Sequence, residues 1–110
     1  MSISSRRNEV TRYQKSAADL QKKIADESKK EAAKAKSLNT LERSITKSTS
    51  TSTLRSKQQQ ATRLLDEIAK IQSKKADYSK KLANEDSRLG KARDALFTKE
   101  WGHKRMGSSL

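Results

Sequence analysis

The residues able to do acid–base or metal chemistry are few and scattered. The single histidine, His103, sits in the run WGHKRMGSSL at positions 101–110, and the chain has no cysteine. A zinc-type site needs three or four converging ligands, so no metal site is expected. Glu27 and Glu31 lie one helical turn apart, the spacing of carboxylates in helical metal sites. No Glu-x-x-His pair accompanies them, and an ion pair within a helical seam suits them better. The three glycines, Gly90, Gly102 and Gly107, form no phosphate-cradling loop. One histidine near the end of the chain cannot anchor a Ser/His/Asp set. The sequence therefore points to a non-enzymatic protein with no catalytic residues and no cofactor.

What positions these groups follows from composition. Of 110 residues, 31% are hydrophobic, 4% aromatic and 35% charged. A compact domain usually needs about 45–50% apolar residues, so a thick core is not expected. Proline is absent, and Ala, Lys, Glu, Leu, Arg and Gln are abundant, which favours long helices over disorder. No apolar run approaches the roughly 18–20 residues that span a bilayer, and MSISSRRNEV lacks the apolar stretch of a signal peptide. With no disulfide possible, a soluble cytoplasmic protein is expected. The net charge of +13 suits nucleic acid or an anionic surface, and suits a solvated lysine-rich coiled coil equally well.

Counting by sevens from Ile3 places Val10, Ala17, Ile24, Glu31, Leu38 and Ile45 at a, with Tyr13, Leu20, Glu27, Lys34 and Leu41 among the d residues. Counting from Leu54 places Ala61, Ile68, Lys75, Leu82, Leu89 and Leu96 at a, with Leu64, Ile71, Tyr78 and Ala92 among the d residues. Sustained heptads of this kind predict a coiled coil. The expected fold is all-α: a long antiparallel two-helix coiled-coil hairpin, self-associating into a four-helix assembly. Its helices are expected at about 3–47 and 54–100 within a hairpin over 1–101, with a tip at about 48–53 and a flexible tail over 102–110. Aligned antiparallel, Leu38 meets Leu64 and Leu20 meets Leu82, and Glu27 falls opposite Lys75 as a register-setting pair.

The segment TKSTSTST (46–53) separates the two patterns. Serine and threonine compete with the helix for backbone groups and cap helix starts, so the segment reads as a turn with Ser52 or Thr53 as N-cap. A modification site or a recognition tip is the functional alternative.

Two outward faces carry the remaining signals. The b and e positions form a small, nearly neutral face that includes Ala18, Ala25, Ala32 and Ala35 on the first helix and Leu65, Ala69, Ala76 and Ala83 on the second. A second copy or a partner helix can approach such a face closely. Alanine's helix preference explains the same residues without a partner. The f positions of the first helix are Lys15, Lys22, Lys29, Lys36 and Arg43, a stripe able to follow phosphates but also the ordinary solvated choice in coiled coils. Asp66 and Asp94 interrupt the matching stripe on the second helix. Neither face has the Trp, Phe and Leu of a membrane-surface helix, and no membrane partner is expected. Phe97 and Trp101, one turn apart near the level of Ile3, are expected to clamp the open end.

The run from Leu41 to Ala83 resembles N-terminal coiled-coil hairpin segments of bacterial effector proteins. The resemblance is carried by the turn SITKSTS, the run EIAKIQSKKADYSKKLA and the start MSISS, and extends over most of residues 1–99. In those proteins a helical hairpin precedes a Toll/interleukin-receptor-like or other effector domain, typically in antiphage defence. The resemblance implies a non-catalytic module for oligomerisation or sensing. No effector domain follows here before Leu110, so a fragment, a truncated product or a partner acting in trans is expected.

Overall fold

The computed structural model describes the backbone of residues 2–108 and the side chains of residues 2–102. It contains two helices, α1 over Ile3–Arg43 and α2 over Thr51–Ser108, with no strand among the described residues. Two compact units divide the chain. One comprises Lys23–Tyr78, and the other comprises Met1–Lys22 with Ser79–Leu110.

Both helices begin with the same device. Ser2 caps α1: its carbonyl accepts from the Arg6 amide at 3.0 Å, and its Oγ accepts from the Ser5 amide at 3.1 Å. Ser50 caps α2: its carbonyl accepts from the Leu54 amide at 2.8 Å, and its Oγ accepts from the Thr53 amide at 3.3 Å. Each cap hydroxyl also donates to the third helical residue, to Ser5 Oγ at 3.0 Å and to Thr53 Oγ1 at 2.8 Å. A side-chain oxygen at this position satisfies an amide that has no partner within the helix. The cap is thus Ser50 and not Ser52 or Thr53, because the helix starts earlier in the hydroxyl run.

α1 ends at Arg43, before the expected 47. The Ser44 amide is shared between the carbonyls of Thr40 and Leu41, at 3.2 and 3.1 Å, and the Ile45 amide bonds to Glu42 O at 3.1 Å. These tighter bonds close the last turn. No described residue has positive φ, so no left-handed cap is used. Lys57 Nζ instead donates to the Ser44 carbonyl at 3.0 Å, placing a cation at the negative end of the α1 dipole. At its other end α2 continues to Ser108, through the stretch expected to fray, and Ser109 and Leu110 lie outside the described residues.

Within Lys23–Tyr78, α1 and α2 run back along one another as a hairpin. Lys34 pairs with Glu67 at 2.8 Å, one residue from the Ile68 that the heptads set opposite it. The heptad a and d residues here, including Ile24, Leu38, Leu41, Leu54, Leu64 and Ile68, are half-buried, and Ile71 is buried. In the other unit Ala17, Leu89 and Ala92 are buried, and Arg7 Nη2 meets Glu100 Oε1 at 2.7 Å. Burial follows the period of 3.5 residues, and the core is a seam one side chain deep. No large side chain among the described residues is fully enclosed.

Candidate interaction surfaces

The middle of the Lys23–Tyr78 seam is polar. Glu27 is 6% exposed; its Oε1 accepts from Lys30 Nζ at 3.3 Å, and its Oε2 is buried with no hydrogen-bond partner. Lys75 Nζ donates to Glu31 Oε1 at 3.4 Å. The expected Glu27–Lys75 pair is therefore replaced by Glu31–Lys75. Both members of the observed pair remain about a quarter exposed, 28% for Lys75 and 27% for Glu31. An ammonium that keeps part of its hydration loses less on pairing than one drawn to the enclosed Glu27 carboxylate. At the edge of this layer Lys34 holds the Glu67 carboxyl below its ordinary range, chiefly through their hydrogen bond.

The alanine face lies in the open. In Lys23–Tyr78, Ala25, Ala32, Ala35, Ala69 and Ala76 are exposed, and Leu65 is 54% exposed. In the other unit Ala18 and Ala83 are exposed as well. The basic stripe is also solvent-facing: Lys29, Lys36 and Arg43 in the first unit, Lys15 and Lys22 in the second. None of these five makes an ion pair among the described residues. The pairs that form use Arg6, Arg7, Lys30, Lys34, Lys75 and Arg88. The stripe cations form no such pair, although Asp19 and Asp26 stand three or four residues from Lys15, Lys22 and Lys29.

The turn is organised by its own hydroxyls. The Thr46 amide donates to Thr49 Oγ1 at 2.8 Å, the Thr49 amide donates to Thr46 O at 3.1 Å, and Thr46 Oγ1 lies 3.0 Å from Ser48 Oγ. Beside the turn runs a shallow groove of about 500 Å³, rimmed by Lys36, Ser37, Thr40, Ser44 and Gln60. Its floor is Leu41 and Leu64.

Phe97 and Trp101 do not clamp anything. They stack on each other with centroids 6.1 Å apart and planes 9° from parallel, and they are 65% and 55% exposed. Their positions, one and five residues after the seam residue Leu96, carry them to the outside of α2. Tyr78, at the seam edge, is covered by Lys23 Nζ at 5.7 Å from the ring centroid.

No group of three or more His, Cys, Asp and Glu among the described residues is arranged to hold a metal ion. The His103 side chain lies outside the described residues. No described helix is long and apolar enough to cross a membrane. The caps at Ser2 and Ser50 and the Lys57 contact to Ser44 are the positions that heptad reasoning missed. The repeated pattern Ser-x-x-Ser/Thr at 2–5 and 50–53 was the available signal for the caps. Compared with known proteins, the chain matches no family model, no curated protein and no solved structure.

Proposed function

We propose that this chain is a non-enzymatic helical-hairpin module for oligomerisation or scaffolding, binding itself or a protein partner through its alanine-rich face. The observation that carries the reading is the exposure of Leu65 at 54%, set among Ala25, Ala32, Ala69 and Ala76 in a unit whose own seam is thin. Small side chains let a second pair of helices approach to short interaxial distance, and burying Leu65 adds apolar area that the seam lacks. A seam with a polar middle is a marginal monomer, and association supplies the missing burial. In the effector setting that the resemblance implies, such a face brings partners together in trans.

Light scattering on a sizing column, at low and high salt, tests this directly. A defined oligomer at both salts is expected. Ala25→Glu with Ala76→Glu should reduce the molar mass while leaving helicity largely intact. An oligomer of native size in that variant overturns the alanine-face interface.

A second reading is favoured by a separate observation, the absence of ion pairs along Lys15, Lys22, Lys29, Lys36 and Arg43 among the described residues. It makes the chain a sequence-independent nucleic-acid binder along the outer face of α1. Lys22→Glu with Lys29→Glu should abolish binding, and equal retention of DNA or RNA by that variant at low salt removes the stripe from consideration.

A further inference from the structure

The turn end of the Lys23–Tyr78 unit stands apart in charge. From 36 to 63 the chain carries six basic residues, Lys36, Arg43, Lys47, Arg55, Lys57 and Arg63, and one acidic residue, Glu42. The whole chain has 26 basic and 13 acidic residues, so this end is far more one-sided than the average. The ion pairs of the unit, Lys30–Glu27, Lys34–Glu67 and Lys75–Glu31, all lie outside this stretch. Among the described residues none of the six cations forms an ion pair, although Arg63 lies near enough to Glu67, just past the stretch, to help lower its carboxyl. All but Lys57 are exposed, and Lys57 is held at the Ser44 carbonyl.

The same stretch holds twelve serines and threonines. The groove beside the turn adds hydroxyls, the Gln60 amide and the Lys36 ammonium around its short apolar floor. The N-terminus of α2, the positive end of a helix dipole, opens at Thr51 in the middle of this charge. Ammonium, guanidinium and hydroxyl groups are the side chains that contact phosphate oxygens, and they do so without reading bases.

The stretch from 36 to 63 contains no aromatic residue. Unpaired bases are gripped by stacking on aromatic rings, and membrane interfaces are gripped by Trp, Phe and Leu. Neither grip is present. A duplex needs neither, because its phosphates lie outermost at close and regular spacing. We propose that the turn end of this unit docks on the phosphate backbone of double-stranded nucleic acid, independently of sequence. This inference does not depend on the alanine face; it shares Lys36 and Arg43 with the α1 stripe but not Lys15, Lys22 or Lys29, so it fails separately from the stripe reading.

The test measures binding of fluorescent 20-base-pair duplexes of two unrelated sequences across a salt series. Equal affinity for both sequences is expected, with a slope of log affinity against log salt of about −3 to −5. Lys47→Glu with Arg55→Glu should weaken binding at least about tenfold and flatten the slope by about two. Lys15→Glu with Lys22→Glu makes the same change in net charge outside this unit and, unlike in the stripe reading, should lose about threefold or less. Circular dichroism checks that each variant is helical, and Lys47→Gln with Arg55→Gln replaces the reversal variant if that one fails to fold. Equal losses in the two pairs, or wild-type binding in the turn variant, overturn the proposal. So does capture by phosphatidylserine vesicles in conditions where the duplex is not bound.

Discussion

Lys75 reaches Glu31 at 3.4 Å, while Glu27, the acid set across the seam from it by the heptads, bonds to Lys30 on its own helix. The polar layer is therefore asymmetric. Its acid that stays about a quarter exposed is paired across the helices, and its enclosed acid is paired locally with one oxygen to spare.

That spare oxygen makes Glu27 a cost to stability. Leaving a buried acceptor without a partner costs about 1–3 kcal/mol, and replacing a buried charge by a packed apolar side chain is often stabilising. Glu27→Leu should raise unfolding free energy by about 1–3 kcal/mol, read by denaturant titration. A loss of stability instead would mean that the carboxylate is well served where it stands.

Glu67 should make the hairpin acid-sensitive. Lys34 lowers its carboxyl from the ordinary 4.5 in the folded chain. A group with a depressed folded value adds stability that is present above its unfolded value and is lost as pH falls through the folded one. Melting temperature should therefore fall as the pH drops below about 4.5, and Glu67→Gln should melt with a shallower acid dependence. Identical acid profiles for the two proteins would show that the Lys34 contact has no energetic weight.

Ser50 should be the hydroxyl of the turn that matters most for α2. Its Oγ accepts from the Thr53 amide and its carbonyl accepts from Leu54. Ser50→Ala should cost about 1 kcal/mol in thermal unfolding. Ser52→Ala, one turn-residue inside the helix, should be nearly neutral. The reverse order would move the helix start.

Gly90 occupies a helix interior where an added Cβ meets no heavy atom within 4 Å. Gly90→Ala should stabilise by about 1 kcal/mol through reduced backbone freedom in the unfolded chain. A neutral or negative change, measured by calorimetry, would mean that this part of α2 opens before the rest of the chain unfolds.

Much of the hairpin was legible in the sequence, because one physical rule governs it. An a or d residue such as Leu38 or Leu82 is covered because 3.5-residue spacing returns it to the same side of its helix, and no other information is needed. The details that escaped depend on choices among near-equals. Ser50, Ser52 and Thr53 are all competent caps, and only the backbone path through the turn selects Ser50. Glu27 and Glu31 stand one turn apart on α1, and Lys75 pairs with the less buried of the two. Phe97 and Trp101 are expected at the open end for their level beside Ile3, yet the place of Phe97 next to Leu96 puts it on the outer face. For the candidate surfaces, the sequence identified which residues share a face. That the f-stripe cations and the turn cations form no ion pairs among the described residues is a matter of side-chain reach, which heptad positions do not encode.

The Lys57–Ser44 contact spans 13 residues, whereas Arg7–Glu100 spans 93. Closing the longer loop from an open chain costs about 2 kcal/mol more in chain entropy than closing the shorter one. Helix pairing that starts at the hydroxyl-rich turn brings later partners together through loops already shortened. Loop entropy thus favours the turn as the place where pairing begins, in the manner of a zipper. A chain emerging from synthesis can begin pairing once residues just beyond the turn are available, well before Glu100 exists.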